Sequence, residues 1–151
     1  MKIIVQNKKA FFDYEILERL EAGIVLTGDE VKSIRAGHVT LVGAFATIHD
    51  GQLFLINCNI SPYTHAANKP ADEHRTRSRK LLVHKKELNR LVGDISRKGV
   101  TLIPLKIYLN ERGLIKVEIG LAKHKKNVDK RQSLKERDIK RQTAREIRDR
   151  N

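Results

Sequence analysis

Residues 44–58 read AFATIHDGQLFLINC, two apolar-rich runs on either side of the dipeptide Asp50-Gly51. Both residues of an Asp-Gly pair accept the positive φ that the tight turn of a β-hairpin requires. The stretch therefore predicts two antiparallel strands, at 44–49 and 52–58, joined by a two-residue turn. This hairpin is a strong local signal, and it indicates a mainly β fold.

Other strand-like segments share its branched and aromatic residues between turn signals. They are predicted at 11–20 and 22–26, which look like a further pair of strands, at 79–83, and at 100–109 and 114–121, which flank a looser turn. About seven short strands, with helices between some of them, suggest a small antiparallel barrel. An OB-like barrel has this size and is a common binder of nucleic acids.

Two helices are predicted between the strands. Thr27 and Glu30 stand at the spacing of a capping box, which predicts a helix over 28–35. The second helix is predicted from four apolar residues that share one helical face and precede Gly99, namely Leu88, Leu91, Val92 and Ile95. Residues 62–72 hold Pro, Asn, His and Ala without periodicity, so they are expected to form a loop.

The positive charge of the chain is concentrated at its C-terminal end. The chain carries a formal net charge of +13, and residues 122–151 hold twelve Lys or Arg against five Asp or Glu. Their few apolar residues bury too little surface to offset the entropy of folding. The sequence therefore predicts a globular body over 1–121 and a basic tail over 122–151 that is disordered alone. Such a pairing is typical of proteins that bind RNA or DNA.

No arrangement of residues is typical of an enzyme. The six histidines form no ligand motif with Cys, Asp or Glu, so no metal, cofactor or catalytic residue is expected. A histidine-based enzyme site stays open as an alternative of a different class. Cys58 is the single cysteine, which fits a reducing cytoplasm, and it is expected to be a small buried residue. No stretch is long and apolar enough to span a membrane, and we expect a monomer in the cytoplasm.

Two basic clusters of the body are candidates for RNA contact: Arg75, Arg77, Arg79 and Lys80 in one segment, and Lys8 and Lys9 near the N-terminus. In an extended segment every second side chain points to the same side, so the three arginines would form a row able to follow a phosphate backbone. The alternative is a solvated edge whose charges prevent strand pairing. Seven aromatic residues and no Trp favour a folded RNA over single strands that stack on several aromatic rings.

Arginines recur at helical spacing within the tail. Arg137, Arg141, Arg145 and Arg148 would form one stripe along a helix. Attractive and repulsive pairs of charges on this helix roughly cancel, at about 0.2–0.5 kcal/mol each. The tail is therefore expected to become helical only when an anionic partner lines the stripe. The alternative is a tail that only aids solubility.

Several runs of the chain resemble those of one known family. They are NKKA at 7–10, EAGIVLTG at 21–28, EVKSIRAG at 30–37, ISPY at 60–63, RKLL at 79–82, GLAK at 120–123, DKR at 129–131 and KERD at 135–138. Their sequence, order and spacing resemble the SsrA-binding proteins (small protein B). This family is the bacterial partner of transfer-messenger RNA in the rescue of stalled ribosomes.

For the body, the resemblance implies an OB-fold barrel without catalytic activity. The barrel would grip the tRNA-like domain of transfer-messenger RNA near its elbow, in place of the missing anticodon arm. The family's RNA-contact positions match Asn7, Glu21, Leu82 and Lys116. A carboxylate such as that of Glu21 can accept hydrogen bonds from base or ribose donors and so position an RNA loop.

For the tail, the resemblance implies entry into the empty mRNA channel of the small ribosomal subunit, where the tail becomes helical. The residues expected to meet the ribosome are Asp129, Lys130 and Arg131, which match the family motif at the decoding centre, and the stripe residues Arg137, Arg141 and Arg145. A general RNA-binding or ribosomal protein with a basic arm is the alternative. Selective binding of one tRNA-like RNA would separate these two interpretations.

The chain departs from the family pattern at three places. Phe11 and Phe12 stand where Arg-His is common, which removes a cation from the expected RNA-facing edge. His124 replaces a usual Gly at the entry to the tail. Val128 occupies a position where a His or an aromatic residue often stacks on a base of the decoding centre.

Overall fold

The computed structural model describes residues 1–62 and 75–125. The loop predicted at 62–72 lies outside the described residues except for Pro62. The tail lies outside them from residue 126 onward, and so does the helix predicted on it.

The described residues form nine strands and three helices. The strands are β1 (Lys2–Gln6), β2 (Tyr14–Ile24), β3 (Val39–Thr40), β4 (Phe45–His49), β5 (Gln52–Ile56), β6 (Asn59–Ile60), β7 (Arg79–Leu82), β8 (Thr101–Leu109) and β9 (Ile115–His124). The helices are α1 (Lys8–Asp13), α2 (Gly28–Arg35) and α3 (Lys85–Lys98). The prediction of a mainly β fold is confirmed, although about seven strands and two helices were predicted.

The hairpin predicted from residues 44–58 is confirmed as β4 and β5. His49 pairs with Gln52, and the two turn residues have positive φ, 50° at Asp50 and 70° at Gly51. Asp tolerates this left-handed conformation better than most residues, and Gly adopts it without a steric penalty. The second hairpin is also confirmed, as β8 and β9.

The antiparallel strands pair into a ring. Their order is β1-β8-β4-β5-β7-β2-β9, and β9 also pairs with β8, so that six strands close on themselves as expected for a barrel. Strands β4 and β1 share the remaining edge of β8, β4 at Leu102 and β1 at 106–109. Strands β3 and β6 form a separate two-stranded sheet.

The pair of strands predicted at 11–20 and 22–26 is wrong. The first residues of this stretch belong to α1, and β2 then runs unbroken along β9. The sequence Ala22-Gly23 is not a turn but a site of close packing. Ala22 is 1% exposed, and a Cβ atom at Gly23 would lie 3.3 Å from the Cβ atom of Leu82 on β7. Successive residues of a strand face opposite sides, so Ala22 packs in the core whereas Gly23, on the outer side, leaves room for Leu82.

Both predicted helices are confirmed. Thr27 and Glu30 form the two reciprocal hydrogen bonds of the capping box at the start of α2. Helix α3 buries Leu91 completely and ends at Gly99, which adopts the left-handed conformation with φ of 60°. None of the helices in the described part of the chain is long and apolar enough to cross a membrane.

The hydrophobic core lies in two places. The main cluster fills the ring and includes Leu55, Ile107, Val117 and Ile119, none of them exposed. A smaller cluster lies beneath α1 and consists of Ala10, Ile103, Leu105 and Ala122. Ala122 is fully buried, and β9 continues to His124, so the strand extends past the end predicted at residue 121.

Candidate nucleic-acid interface

One outer face of the ring carries polar side chains in register. We call this the polar sheet face, and it consists of Arg19 and Glu21 on β2, Lys116 and Glu118 on β9, and Lys106 and Tyr108 on β8. Glu118 lies between Glu21 and Lys106 in the strand pairing, and Lys116 pairs with Tyr108. Residues directly opposite each other in antiparallel strands share a face, and so do alternate residues of one strand, which places Arg19 beside Glu21 and brings these six together.

The two carboxylates of the polar sheet face have different partners. Arg19 Nη1 lies 3.3 Å from Glu118 Oε1, and Lys106 Nζ lies 3.4 Å from Glu118 Oε2. Opposed carboxylates repel each other, and these two cations offset the charge of Glu118. Glu21 instead accepts a hydrogen bond from the hydroxyl of Tyr108 through Oε2. Its side chain is exposed, so it keeps acceptor capacity for a donor from outside the chain.

Tyr108 is held in its protonated form. Burial, together with donation to the Glu21 carboxylate, raises the pKa of Tyr108 far above its ordinary value. The hydroxyl therefore remains a donor across the physiological pH range and fixes the orientation of Glu21. Lys106 Nζ lies 5.5 Å from the centre of the Tyr108 ring and packs on the same side. Glu21 is thus a preoriented acceptor on a cationic surface.

Gly23 brings three of the residues predicted to contact RNA to one place. It pairs with Leu82 of β7 on one side and with Lys116 of β9 on the other, and Glu21 lies two residues before it on β2. A Cβ atom at Gly23 would lie 3.8 Å from Lys116 Nζ. Glu21, Leu82 and Lys116 therefore adjoin one another across three strands.

A cleft of about 300 Å³ opens beside this cluster. Its walls are mostly apolar and come from the ends of β2, β7 and β9 and from α2, with Leu26, Val31, Leu82, Leu114 and Ile115 among them. Leu82 is 52% exposed, and Arg35 and Lys116 supply positive charge to the lining. An apolar wall with cations beside it suits a nucleobase or ribose whose neighbouring phosphates face the cations.

Asn7 has a structural position. Its side-chain Oδ1 accepts from the Ala10 backbone N–H at 3.2 Å, which caps α1, and its Nδ2 donates to the Pro104 carbonyl at 3.0 Å. The residue is buried and joins α1 to β8. Lys8 and Lys9 follow it on the exposed surface of α1. The predicted RNA contacts of these three residues stay predictions.

The expected row of three exposed arginines is wrong because Arg79 is fully buried. Its Nε lies 2.6 Å from Glu30 Oε2, and its Nη1 and Nη2 donate to the carbonyls of Cys58 at 2.7 Å and of Arg75 at 2.9 Å. Arg77 also donates to Glu30. A buried guanidinium needs such a counter-charge and a full set of acceptors. Arg79 therefore cannot offer its charge to RNA.

Glu30 is the important residue that sequence reasoning assigned only to capping. Burial by itself would raise its pKa, but hydrogen bonds from Arg77, the Thr27 N–H and Arg79 outweigh burial and hold the pKa of Glu30 below its ordinary value. Glu30 thereby ties α2 to the segment that leads into β7. Cys58 lies next to this network, and the prediction that it is buried is confirmed. Burial raises the pKa of its thiol to about 11, so the thiol is unreactive at neutral pH.

The remaining predicted site residues lie outside the buried Arg79 network or outside the described residues. Lys80 is exposed on β7, beside the buried Arg79. Within residues 1–62 and 75–125, no group of three His, Cys, Asp or Glu side chains could hold a metal ion. The residues predicted to meet the ribosome, Asp129, Lys130, Arg131, Arg137, Arg141 and Arg145, lie outside the described residues.

Comparison with known proteins gives consistent matches over nearly the whole chain. The family model described as SmpB protein matches residues 4–149. The SsrA-binding protein of Coprothermobacter proteolyticus is 52% identical over 146 residues, 97% of each chain. The SsrA-binding protein of Bacillus cytotoxicus is 53% identical over 149 residues, which cover 99% of this chain and 94% of the relative.

A solved structure is similar as well. It is described in the words "tmRNA-SmpB: a journey to the center of the bacterial ribosome". One of its chains is 54% identical to this one, covers 82% of this chain and 85% of its own length, and superimposes with a TM-score of 0.66. The family match, the identities and the shared fold agree, and the chain belongs to the SmpB family of SsrA-binding proteins.

Proposed function

We propose that this chain is an RNA-binding adaptor for ribosome rescue. Its body binds the tRNA-like domain of transfer-messenger RNA, and the complex is delivered to stalled ribosomes in the cytoplasm for tagging of the incomplete protein. The adaptor works by binding alone and catalyses no reaction. The observation that carries this proposal is the family match over residues 4–149, which spans the body and the tail alike.

The polar sheet face and the adjoining cleft supply the chemistry that RNA recognition needs. Glu21 accepts hydrogen bonds from donors on bases or ribose, and phosphates meet the cations Arg35 and Lys116 beside the cleft. Contact with the backbone through cations gives affinity for any RNA, whereas a preoriented acceptor and a shaped cleft select one folded loop. The chain has a net charge of +13, so it does not need Glu21 for its attraction to RNA, and the carboxylate would serve to select the RNA loop.

The tail supplies the contact with the ribosome. Its charge suits the RNA walls of the mRNA channel, and its arginine stripe would face phosphates there. An mRNA that occupies the channel would exclude the tail, so entry would report that no codon is present. This division assigns selection of the RNA to the body and detection of the stalled ribosome to the tail.

The test compares the full chain with a chain that ends after Lys125, a position chosen because Ala122 is buried and β9 runs to His124. RNA bound to each form in cells is recovered and sequenced, and tagging is measured on stalled ribosomes. Both forms should enrich transfer-messenger RNA, and only the full chain should support tagging. Uniform recovery of many RNAs by the full chain would instead indicate a general RNA-binding protein. Tagging by the shortened chain would overturn the role of the tail.

A further inference from the structure

The short helix α1 lies against the point where the chain leaves the barrel. Ala10 of α1 packs in the smaller core cluster with Ala122 of β9, three residues before Lys125. The last residue of α1 is Asp13, and its carbonyl accepts from the Lys125 backbone N–H at 2.9 Å. The pairing of β2 with β9, which reaches Tyr14 and His124, is thereby extended by one further bond.

Two side chains add to this backbone contact. Lys125 Nζ donates to the Phe11 carbonyl at 3.1 Å, in the last turn of α1, where the unpaired carbonyls of a helix attract cations. The ring of His124 lies 4.9 Å from the ring of Tyr14, at an interplanar angle of 60°. Tilted aromatic pairs at this separation attract each other. The start of the tail is therefore held by contacts from two consecutive residues.

This corner is also connected to the polar sheet face. The guanidinium of Arg19, which pairs with Glu118, lies 5.4 Å from the centre of the Phe11 ring. Phe11 belongs to α1, and its carbonyl is the acceptor for Lys125. A continuous set of contacts thus runs from the polar sheet face through α1 to the exit of the tail.

We propose that His124 and Lys125 are positioning residues that fix the direction in which the tail leaves the body. Together with Phe11, Asp13 and Tyr14 they form what we call the tail clasp. The clasp aims the tail at the mRNA channel while the body stays on its RNA. This inference rests on the proposed function and deepens it, because it assigns the aim of the tail to residues that need not touch RNA or ribosome.

The physical advantage is entropic. A chain that leaves the body in every direction spends little of its time near the channel, and binding must then offset the loss of that freedom. Contacts that fix the backbone at His124 and Lys125 exclude other exit directions of the tail before the ribosome is bound. This is preorganisation of the tail.

The direct test measures the direction itself on the full chain bound to transfer-messenger RNA. Spin labels are attached at Gln52→Cys on β5 and Asn127→Cys just after the clasp, and pulsed electron resonance gives the distribution of distances between them. Cys58 is fully buried, and a chain without the introduced cysteines should take up no label. We expect one narrow population in the otherwise unchanged chain and loss of that population in the variant His124→Ala, Lys125→Met, which removes the ring and the ammonium without adding the backbone freedom of glycine.

The matched control is Lys126→Met, which removes the same charge one residue further along and should keep the narrow population. The proposal is overturned if the unchanged chain already gives a broad distribution, or if the clasp variant is as narrow as the control.

Tagging on stalled ribosomes is the second readout. The clasp variant should bind transfer-messenger RNA as the unchanged chain does and lose roughly tenfold in tagging rate, equivalent to about 1.4 kcal/mol. Lys126→Met should tag close to normally. If the chain that ends after Lys125 still tags, the proposed role of the tail fails. If that chain is inactive but the clasp variant tags normally, the tail is needed and the clasp alone is refuted.

Discussion

Two glutamates of this chain, Glu21 and Glu30, lie nine residues apart and are used in opposite ways. The side chain of Glu30 is 12% exposed and accepts from Arg77, Arg79 and the Thr27 N–H, so its bonding capacity is used within the protein. Glu21 is exposed and accepts a hydrogen bond from Tyr108, its one side-chain donor among residues 1–62 and 75–125. Both residues lie in runs typical of the family, so the sequence does not separate them. The structure does, because only Glu21 keeps acceptor capacity that a binding partner could use.

The largest effect on folding stability is expected from a substitution that disrupts the ion pairs of Glu30. Arg79→Met removes the fully buried partner of Glu30 and one donor each from the carbonyls of Cys58 and Arg75. Removal of one member of a buried ion pair typically costs about 3–5 kcal/mol. Glu30 keeps Arg77 and the Thr27 N–H as partners, so we expect a loss at the lower end, about 3 kcal/mol. Urea denaturation should show this loss in the free energy of unfolding.

Arg77→Met is the matched control for this change. Its side chain is about one-third exposed and binds the same carboxylate, so the loss should be near 1 kcal/mol. Equal losses for the two variants would mean that the burial of Arg79 is unimportant for stability.

The second prediction sharpens the role of Glu30 through its pH dependence. A carboxyl whose pKa is lowered on folding stabilises the folded state above its unfolded pKa, which is about 4.3 for Glu. Glu30→Gln should therefore cost about 1.5–3 kcal/mol of folding stability at pH 7, as expected for hydrogen bonds with charged groups. The difference in the free energy of unfolding between wild type and Glu30→Gln should shrink as the pH falls below about 4, through the pKa of Glu30 in the folded state.

Unfolding measured across this pH range for both proteins checks the prediction. A difference in the free energy of unfolding that stays constant down to low pH would show that the shape of Glu30, and not its charge, contributes to stability.

The parts of this fold that could be predicted from sequence have local causes. The hairpin at 44–58 depends on two turn residues, α2 on a capping box, and α3 on an apolar stripe within four turns. The pairing of Arg79 with Glu30 spans 49 positions, and that of Tyr108 with Glu21 spans 87. No local pattern in the sequence indicates such a distant partner. The sequence therefore predicts neither the burial of Arg79 nor the contact of Tyr108 with Glu21.

The site shows the same limit. The resemblance to a family predicted Glu21, Leu82 and Lys116 as separate contact positions, and only the pairing of β2 with both β7 and β9 shows that they adjoin one another. The same resemblance predicted Asn7, which the structure uses as a helix cap. Helix α1 was missed because its six residues carry two phenylalanines and follow a strand-like pattern, and tertiary contacts with β8 override this local preference.

The third prediction tests the exposed side of the comparison by the change Glu21→Gln. If Glu21 accepts hydrogen bonds from RNA, the neutral amide should weaken binding of transfer-messenger RNA by about 1–3 kcal/mol, through a weaker bond and stranded donors. If Glu21 is only a surface charge, its removal should tighten binding to a polyanion slightly. A filter-binding titration distinguishes these signs, and unchanged or tighter binding would refute the acceptor role.

Glu118→Gln is the control for general charge. It removes one negative charge from the same face, where Arg19 and Lys106 already offset it. Its effect on RNA binding should be smaller than that of Glu21→Gln. A larger effect would identify Glu118 as the acceptor instead.

The smallest effect is expected from Tyr108→Phe, which keeps the ring and removes only the donor to Glu21. Loss of one hydrogen bond should lower the free energy of unfolding by about 0.5–1.5 kcal/mol. RNA binding should weaken less than in Glu21→Gln, because the carboxylate remains but is no longer oriented.

A group whose pKa is raised on folding stabilises the folded state below its unfolded pKa, about 10 for Tyr, and loses this contribution at higher pH. The difference in stability between wild type and Tyr108→Phe should therefore be constant at neutral pH and shrink above about pH 10, and equal stabilities at pH 7 would show that the Tyr108 hydroxyl does not hold Glu21.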